Sequence, residues 1–268
     1  MEVPVTDMQH VNGGYFLLQV HSPAQAALVR PGHFFMLGMQ HADFSADPLL
    51  NRPISVLDCT PDDHTAPAAI HFLIKEAGRG TRLLSRLRAG DNLLCHGPLG
   101  TTFPEPSPEC RLILVGGGVG IAPLYFCARR WSATHDMALF YGGRSVTDLP
   151  LQGLLPQTGL REVILLTEDG SAGRRGLVTE PLPEYLASNP GAKVYSCGPN
   201  AMMEAVARIT AHVDAQLWVS MENRMGCGLG ACLGCVLPVI EGDKTAMVRI
   251  CKEGPVFRGE QIDWKIRY

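Results

Sequence analysis

Residues Arg111 to Pro123 read RLILVGGGVGIAP. RLILV is a continuous apolar run of the kind a strand buried on both faces requires, and the residues from Ala122 on, APLYFCARRW, carry a helical pattern. Between them stand Gly116, Gly117, Gly118 and Gly120. A glycine-rich turn from strand to helix lets a pyrophosphate approach the backbone at the positive end of the helix, although close packing alone also calls for such a turn. Downstream the theme repeats: MALFYGG (137–143) and EVILLTEDG (162–170) end in glycine or acidic turn residues, and KVYSCGPNAMMEAVARI (193–209) supplies a fourth strand, a turn and a helix. Strands alternating with helices make a doubly wound parallel sheet, expected over 109–215. Upstream lies a proline-rich linker, FPEPSPE (103–109), and before it short β-type runs: GYFLLQV, HFFMLGM, PISVLD, AIHFLIK and NLLCHGPLG. These predict an antiparallel barrel or sandwich over 1–105, interrupted by a helix in RLLSRLR after Thr81. The fold class is therefore multidomain, β followed by α/β, with a small C-terminal module over 216–268.

The totals agree. A chain of 268 residues, 46% hydrophobic and 18% charged, with 29 glycines, is globular and exceeds a comfortable single core. A net charge of −3 without runs of like charge offers no footprint for nucleic acid or an anionic membrane. The N-terminus lacks a secretory pattern and no stretch reaches about 18 uninterrupted apolar residues, so a cytoplasmic location without a membrane span is expected. In that compartment nine cysteines argue for metal or redox use rather than disulfides.

The C-terminal module holds GCGLGACLGC (226–235). Cys227, Cys232, Cys235 and Cys251 are separated by four, two and fifteen residues, the plant-type ferredoxin spacing for a [2Fe–2S] cluster. Gly226, Gly228, Gly230 and Gly234 let the loop curl and bring bare N–H groups to the sulfurs. Zinc is the structural alternative, yet no histidine lies between Ala215 and Tyr268 and the paired spacing of zinc knuckles is missing. A metal cluster would also staple a module too small to bury much core.

Two further motifs are open by themselves. In NRPISV (51–56), Arg52 reads equally as a surface charge and Pro53 as an edge-strand residue. In KEAGRGTRLL (75–84), Gly80 and Thr81 stand at a helix start that suits anion binding and a plain N-cap alike.

Taken together, the Arg-Pro-x-Ser motif in a barrel, the Gly-Thr helix start about 25 residues later, the GGGxGxxP turn, the Cys-Gly-Pro motif and the cysteine module ending in CKEGPVF resemble the ferredoxin reductase superfamily. Within it they are most similar to the electron-transfer subunits of NAD-dependent, heteromeric dihydroorotate dehydrogenases. The resemblance spans essentially the whole chain. It implies that Arg52, Pro53, Ile54 and Ser55 contact FAD, that Leu73, Ile74 and Lys75 line the flavin site, and that Gly80 and Thr81 bind its pyrophosphate. Gly116, Gly117, Gly118 and Gly120 would take the nicotinamide nucleotide. Cys197, Gly198 and Pro199 would sit where nicotinamide meets flavin, and Cys227, Cys232, Cys235 and Cys251 would hold the cluster. It further implies an FMN-containing catalytic subunit as partner in a heterotetramer, with electrons passing through [2Fe–2S] and FAD to NAD⁺.

Two departures stand out. GPLGTTF (97–103) replaces a more glycine-rich stretch, and TEDGSAGRRG (167–176) carries both Glu168 and Asp169, which disfavour a 2′-phosphate, and Arg174 and Arg175, which suit one. The small subunit of a flavin-based NADH-dependent ferredoxin:NADP oxidoreductase, or of a sulfide dehydrogenase or hydrogenase, is the alternative within the class. A non-enzymatic redox-sensing regulator is the alternative outside it.

Overall fold

The computed structural model describes residues 1–39, 50–60 and 68–266. The last two residues of the module expected to run to Tyr268 lie outside them. Among the described residues, β1 (Glu2–Val11), β2 (Tyr15–His21), β3 (Phe34–Gly38), β4 (Arg52–Thr60), β5 (Ala69–Lys75) and β6 (Asn92–Leu99) close into an antiparallel barrel in the order β1-β2-β5-β4-β3-β6. Strand alternation fills it: Phe16, Leu18 and Val20 face Phe35, Leu37, Ile70, Phe72 and Ile74 in one core. Strand β1 is an element that the runs read from the sequence do not include; its Val3 and Val5 are buried and Pro4 interrupts the pattern.

A short helix α1 (Pro23–Ala26) follows β2, and α2 (Arg79–Leu84) precedes β6. Helix α2 begins two residues before Thr81 and ends at Leu84, so the expected helix over 82–88 is corrected. The reason is local. Thr81 occupies the third helical position, and its hydroxyl accepts from the N–H groups of Ala77 (2.9 Å) and Gly78 (3.1 Å), which pulls the helix start upstream.

The linker is pinned rather than loose. Phe103 stacks on Tyr195 at 4.9 Å, and the Tyr195 hydroxyl donates to the Pro104 carbonyl at 2.5 Å. Beyond it come β7 (Leu112–Gly117), α3 (Ile121–Trp131), β8 (Met137–Gly143), β9 (Glu162–Thr167), β10 (Arg174–Arg175), α4 (Leu182–Ala187), β11 (Lys193–Cys197), α5 (Asn200–His212) and β12 (Gln216–Ser220). All six residues of β7 are buried, as a central parallel strand requires. The hairpin β13 (Val236–Glu241) and β14 (Lys244–Arg249), then α6 (Ile250–Glu253) and β15 (Val256–Arg258), follow, with a 3-10 turn at Gly259–Gln261 after them.

The large sheet has the order β10-β9-β8-β7-β11-β12-β15, parallel except for β15, which runs antiparallel on β12. Strand order reverses between β7 and β11, and a ligand crevice belongs at the carboxyl ends of the strands there. The sheet takes in residues beyond Ala215 because a short tail cannot build its own core. Cys235, Leu237, Ile250 and Cys251 share one apolar cluster with Val194 and Val219 of the sheet and Phe34 and Met36 of the barrel. Among the described residues no helix is long and apolar enough to cross a membrane.

Candidate functional site

At the reversal point a cleft of about 670 Å³ opens in front of β7, β8, β9 and β11, with Tyr15 and Lys75 of the barrel on its far wall. That volume is ordinary for a small-molecule site. Gly117, Gly118 and Gly120 line one side and Gly198 and Pro199 the other. Their size is required. A Cβ on Gly120 would lie 2.5 Å from the Cys197 carbonyl oxygen and 2.6 Å from the Gly198 nitrogen, both immovable backbone atoms. Gly118 holds φ at +54°, and Tyr141 donates to its carbonyl at 3.2 Å. Gly116 lies behind the lining, where a Cβ would press on Ile121 and Leu124.

Cys197 is also behind the cleft floor: its thiol is 1% exposed, and burial, with the Glu222 carboxylate nearby, pushes it well above the ordinary thiol range. It is a neutral, packed thiol, and the backbone of Gly198 faces the cleft in its place. Glu222 is a lining residue that the motifs do not point to. It is exposed into the cleft, and desolvation by the surrounding protein raises its carboxyl pKa.

Barrel and sheet are tied across the cleft by Asp148. Its Oδ1 accepts from Lys75 (3.1 Å) and Tyr15 (3.3 Å), and its Oδ2 from Arg144 (3.1 Å). Partial burial works against the charge, but the hydrogen bonds from Lys75 and Arg144 outweigh it and hold the carboxyl below its usual range. Tyr15 comes from the barrel, and Arg144 and Asp148 stand four residues apart just after β8, with no short motif around them. Of the residues read as nucleotide determinants, Glu168 lines the cleft, whereas Arg174 and Arg175 are exposed at the sheet edge and outside the lining.

On the barrel, Arg52, Pro53, Ile54 and Ser55 are all half-buried in succession, where a strand between core and water would alternate. The Arg52 guanidinium lies against Gly80, where a Cβ would overlap it. Arg52, Gly80 and Thr81 are thereby brought together at first-turn amides that lack intrahelical acceptors, a setting that fits the diphosphate of FAD. Leu73 and Ile74 are 2% and 1% exposed, so their side chains serve the cores and only their backbone and Lys75 remain for a flavin.

The four cysteines of the module stand as two pairs. Cys227 and Cys232 are in side-chain contact, as are Cys235 and Cys251, and the N–H of Cys251 points to the Cys235 sulfur at 3.5 Å. Among the described residues no three ligating side chains converge on one point. Two pairs fit two irons with two thiolates each, whereas one tetrahedral zinc needs all four together. Gly228 and Gly230 take φ of +71° and +80° to curl the loop, and Leu233 takes +56°. The N–H groups of Cys232 and Leu229 lead in pulling the Cys227 thiol down to about 6, while burial, then Cys235, pushes Cys251 up to about 12. Cys232 is exposed and Cys227 half-buried, but Cys235 and Cys251 are buried.

Barrel, nucleotide sheet and cysteine module define an oxidoreductase of the ferredoxin reductase-like class. The family described as oxidoreductase NAD-binding domain matches residues 114–208, and that described as iron-sulfur cluster binding domain of dihydroorotate dehydrogenase B matches residues 222–263. Proteins named dihydroorotate dehydrogenase B (NAD(+)), electron transfer subunit, are similar over most of their length. The one from Desulforamulus reducens is 32% identical over 93% of this chain and 93% of its own, and the one from Caldanaerobacter subterraneus 37% over 87% and 86%. The chain belongs to this family of electron-transfer subunits. Among solved structures, an NADH-dependent reduced ferredoxin-NADP oxidoreductase superposes with a TM-score of 0.82 at 26% identity, covering 98% of this chain and 90% of that one. A ferredoxin NADP⁺ reductase from Neisseria gonorrhoeae shares the fold at a TM-score of 0.64 and 16% identity, covering 84% and 94%.

Proposed function

We infer that this chain carries electrons from an FMN-containing, dihydroorotate-oxidising catalytic subunit to NAD⁺, within a heterotetramer in the cytoplasm. The observation that carries the reading is the sidedness of the cysteine module. The Cys227–Cys232 pair is the accessible one and is flanked by Leu229 and Leu233, 55% and 62% exposed, while the Cys235–Cys251 pair packs toward Phe34 and Met36 of the barrel. The accessible pair offers its face to a partner, while the loop between its cysteines rests on the barrel through Gly228 against Met36, which pairs with Pro53 of the flavin strand. When bound, the cluster would supply one-electron transfer and FAD the junction between single electrons and the hydride taken by NAD⁺.

The chain's own residues do the placing. Arg52, Gly80 and Thr81 would hold the flavin diphosphate. Gly117, Gly118 and Gly120 admit the nucleotide backbone, and Gly198 and Pro199 position the nicotinamide against the barrel wall. Glu168 accepts ribose hydroxyls and repels a 2′-phosphate, which favours NAD⁺. Burying Cys197 keeps a reactive thiolate away from the hydride path.

The test is an anaerobic NADH titration of the isolated chain, with NADPH in parallel, followed by absorbance and EPR. Flavin bleaching and a [2Fe–2S] signal at far lower NADH than NADPH are expected, and adding the catalytic subunit should couple dihydroorotate oxidation to NAD⁺ reduction. A chain without flavin or iron, or one that prefers NADPH, overturns the reading.

A further inference from the structure

The loop carrying Cys227, Cys232 and Cys235 is fastened by Arg249, the last residue of β14. Its Nη1 donates to the Gly230 carbonyl at 3.0 Å. The remaining donors go to Glu253, one turn on: Nε at 3.1 Å, the backbone N–H at 2.7 Å, and Nη2 as well. A peptide unit is planar and trans, so the Gly230 carbonyl and the Ala231 N–H form one rigid dipole pointing opposite ways. One residue before this peptide, the Leu229 N–H donates to the Cys227 sulfur at 3.3 Å, so Arg249 fastens the segment that turns an N–H onto a ligand sulfur. The cation therefore sits on the loop beside that donor and adds positive potential close to the ligand sulfurs. Arg249 and Glu253 stand two residues before and after the ligand Cys251, at the start and end of α6, so both charges lie within about one helical turn of it.

We propose that Arg249 and Glu253 form an opposed charge couple that sets the reduction potential of the cluster. Arg249 lies on the loop side and favours the added electron, and Glu253 restrains that effect from outside. Both side chains are about one-third exposed, so solvent weakens the couple without abolishing it. Reduction adds one electron, supplied by NADH or the catalytic subunit, and makes the cluster more negative by one charge. A nearby cation and stronger N–H donors to sulfur stabilise that state and raise the potential. These are positioning residues, since neither supplies a ligand. The proposal rests on the reading that the four cysteines hold a [2Fe–2S] cluster.

The experiment is an EPR-monitored potentiometric titration of the full chain, purified anaerobically, with iron and acid-labile sulfide measured on each sample. Arg249→Gln should lower the potential, Glu253→Gln should raise it, and Arg249→Lys should fall between wild type and Arg249→Gln. A passive clip predicts otherwise: variants that retain iron would titrate at the wild-type potential. Unchanged potentials, or shifts of the same sign for Arg249→Gln and Glu253→Gln, overturn the proposal. Should Arg249→Gln lose its iron, Glu253→Gln decides alone, a raised potential supporting the couple and an unchanged or lowered one refuting it. Wild-type protein without iron and sulfide would instead overturn the cluster reading, and the couple with it. NADH reduction of the flavin should be the same in all variants, because neither residue lines the cleft.

Discussion

Glycine shapes both the nucleotide cleft and the cluster loop, in opposite settings. Gly116 to Gly120 sit between buried strands whose ladders hold the turn before any ligand arrives. The glycines of 226–235 lie in a stretch from 221 to 235 without helix or strand, anchored by Asn223 to the Val236 carbonyl at 2.9 Å and by Arg249 to Gly230. One site is preformed by backbone and the other is to be completed by metal, so they should fail independently.

The largest effect should come from Cys235→Ser. It removes one thiolate of the buried pair, so iron per chain and the EPR signal should be lost and the 221–255 region should open to proteolysis. NADH should still bleach the flavin. If flavin reduction falls as steeply as iron content, the two regions are not independent.

Gly120→Ala attacks the other side of the comparison. The new Cβ meets the Cys197 carbonyl and the Gly198 nitrogen, and such overpacking typically costs about 1–3 kcal/mol. KM for NADH should rise several-fold with iron content unchanged. Equal KM values would show that the turn yields more than its ladders suggest.

The smallest effect is expected from Glu222→Gln. A carboxyl whose pKa is raised by desolvation in a cleft binds its proton more tightly in the folded chain, so it contributes stability at pH below the ordinary carboxylate range. That contribution is lost as pH rises through the raised folded value. The variant should therefore be slightly more stable than wild type at neutral pH and show a flatter dependence between mildly acidic and neutral pH. Thermal unfolding of the holoprotein across that range checks it, and a parallel pair of curves would mean that Glu222 is solvated.

The particular elements show where sequence reading reaches. Barrel runs such as AIHFLIK and the strand LILV are legible because burial imposes its period on neighbouring residues. Strand β1 escapes because Pro4 between Val3 and Val5 and the polar Thr6 and Asp7 after them blur the alternation, and α2 shifts because the Thr81 hydroxyl competes for backbone donors. Gly117, Gly118, Gly120, Gly198, Pro199 and Lys75 converge on one cleft, but Cys197 and Gly116 stop behind its wall. Which face of a strand end meets a ligand depends on its neighbours, and those are distant in sequence.

By itself the sequence determined the class of each region and the four-cysteine spacing, because periodicity, glycine placement and ligand intervals are local properties of a chain. Only the tertiary structure decided that the cysteines stand as two pairs with one facing outward, and that Asp148 ties barrel to sheet. It likewise decided that Arg249 reaches the cluster loop at the Gly230 carbonyl while holding Glu253. Charges and thiols act over a few ångströms of space, and the fold, not residue number, sets which of them come that close.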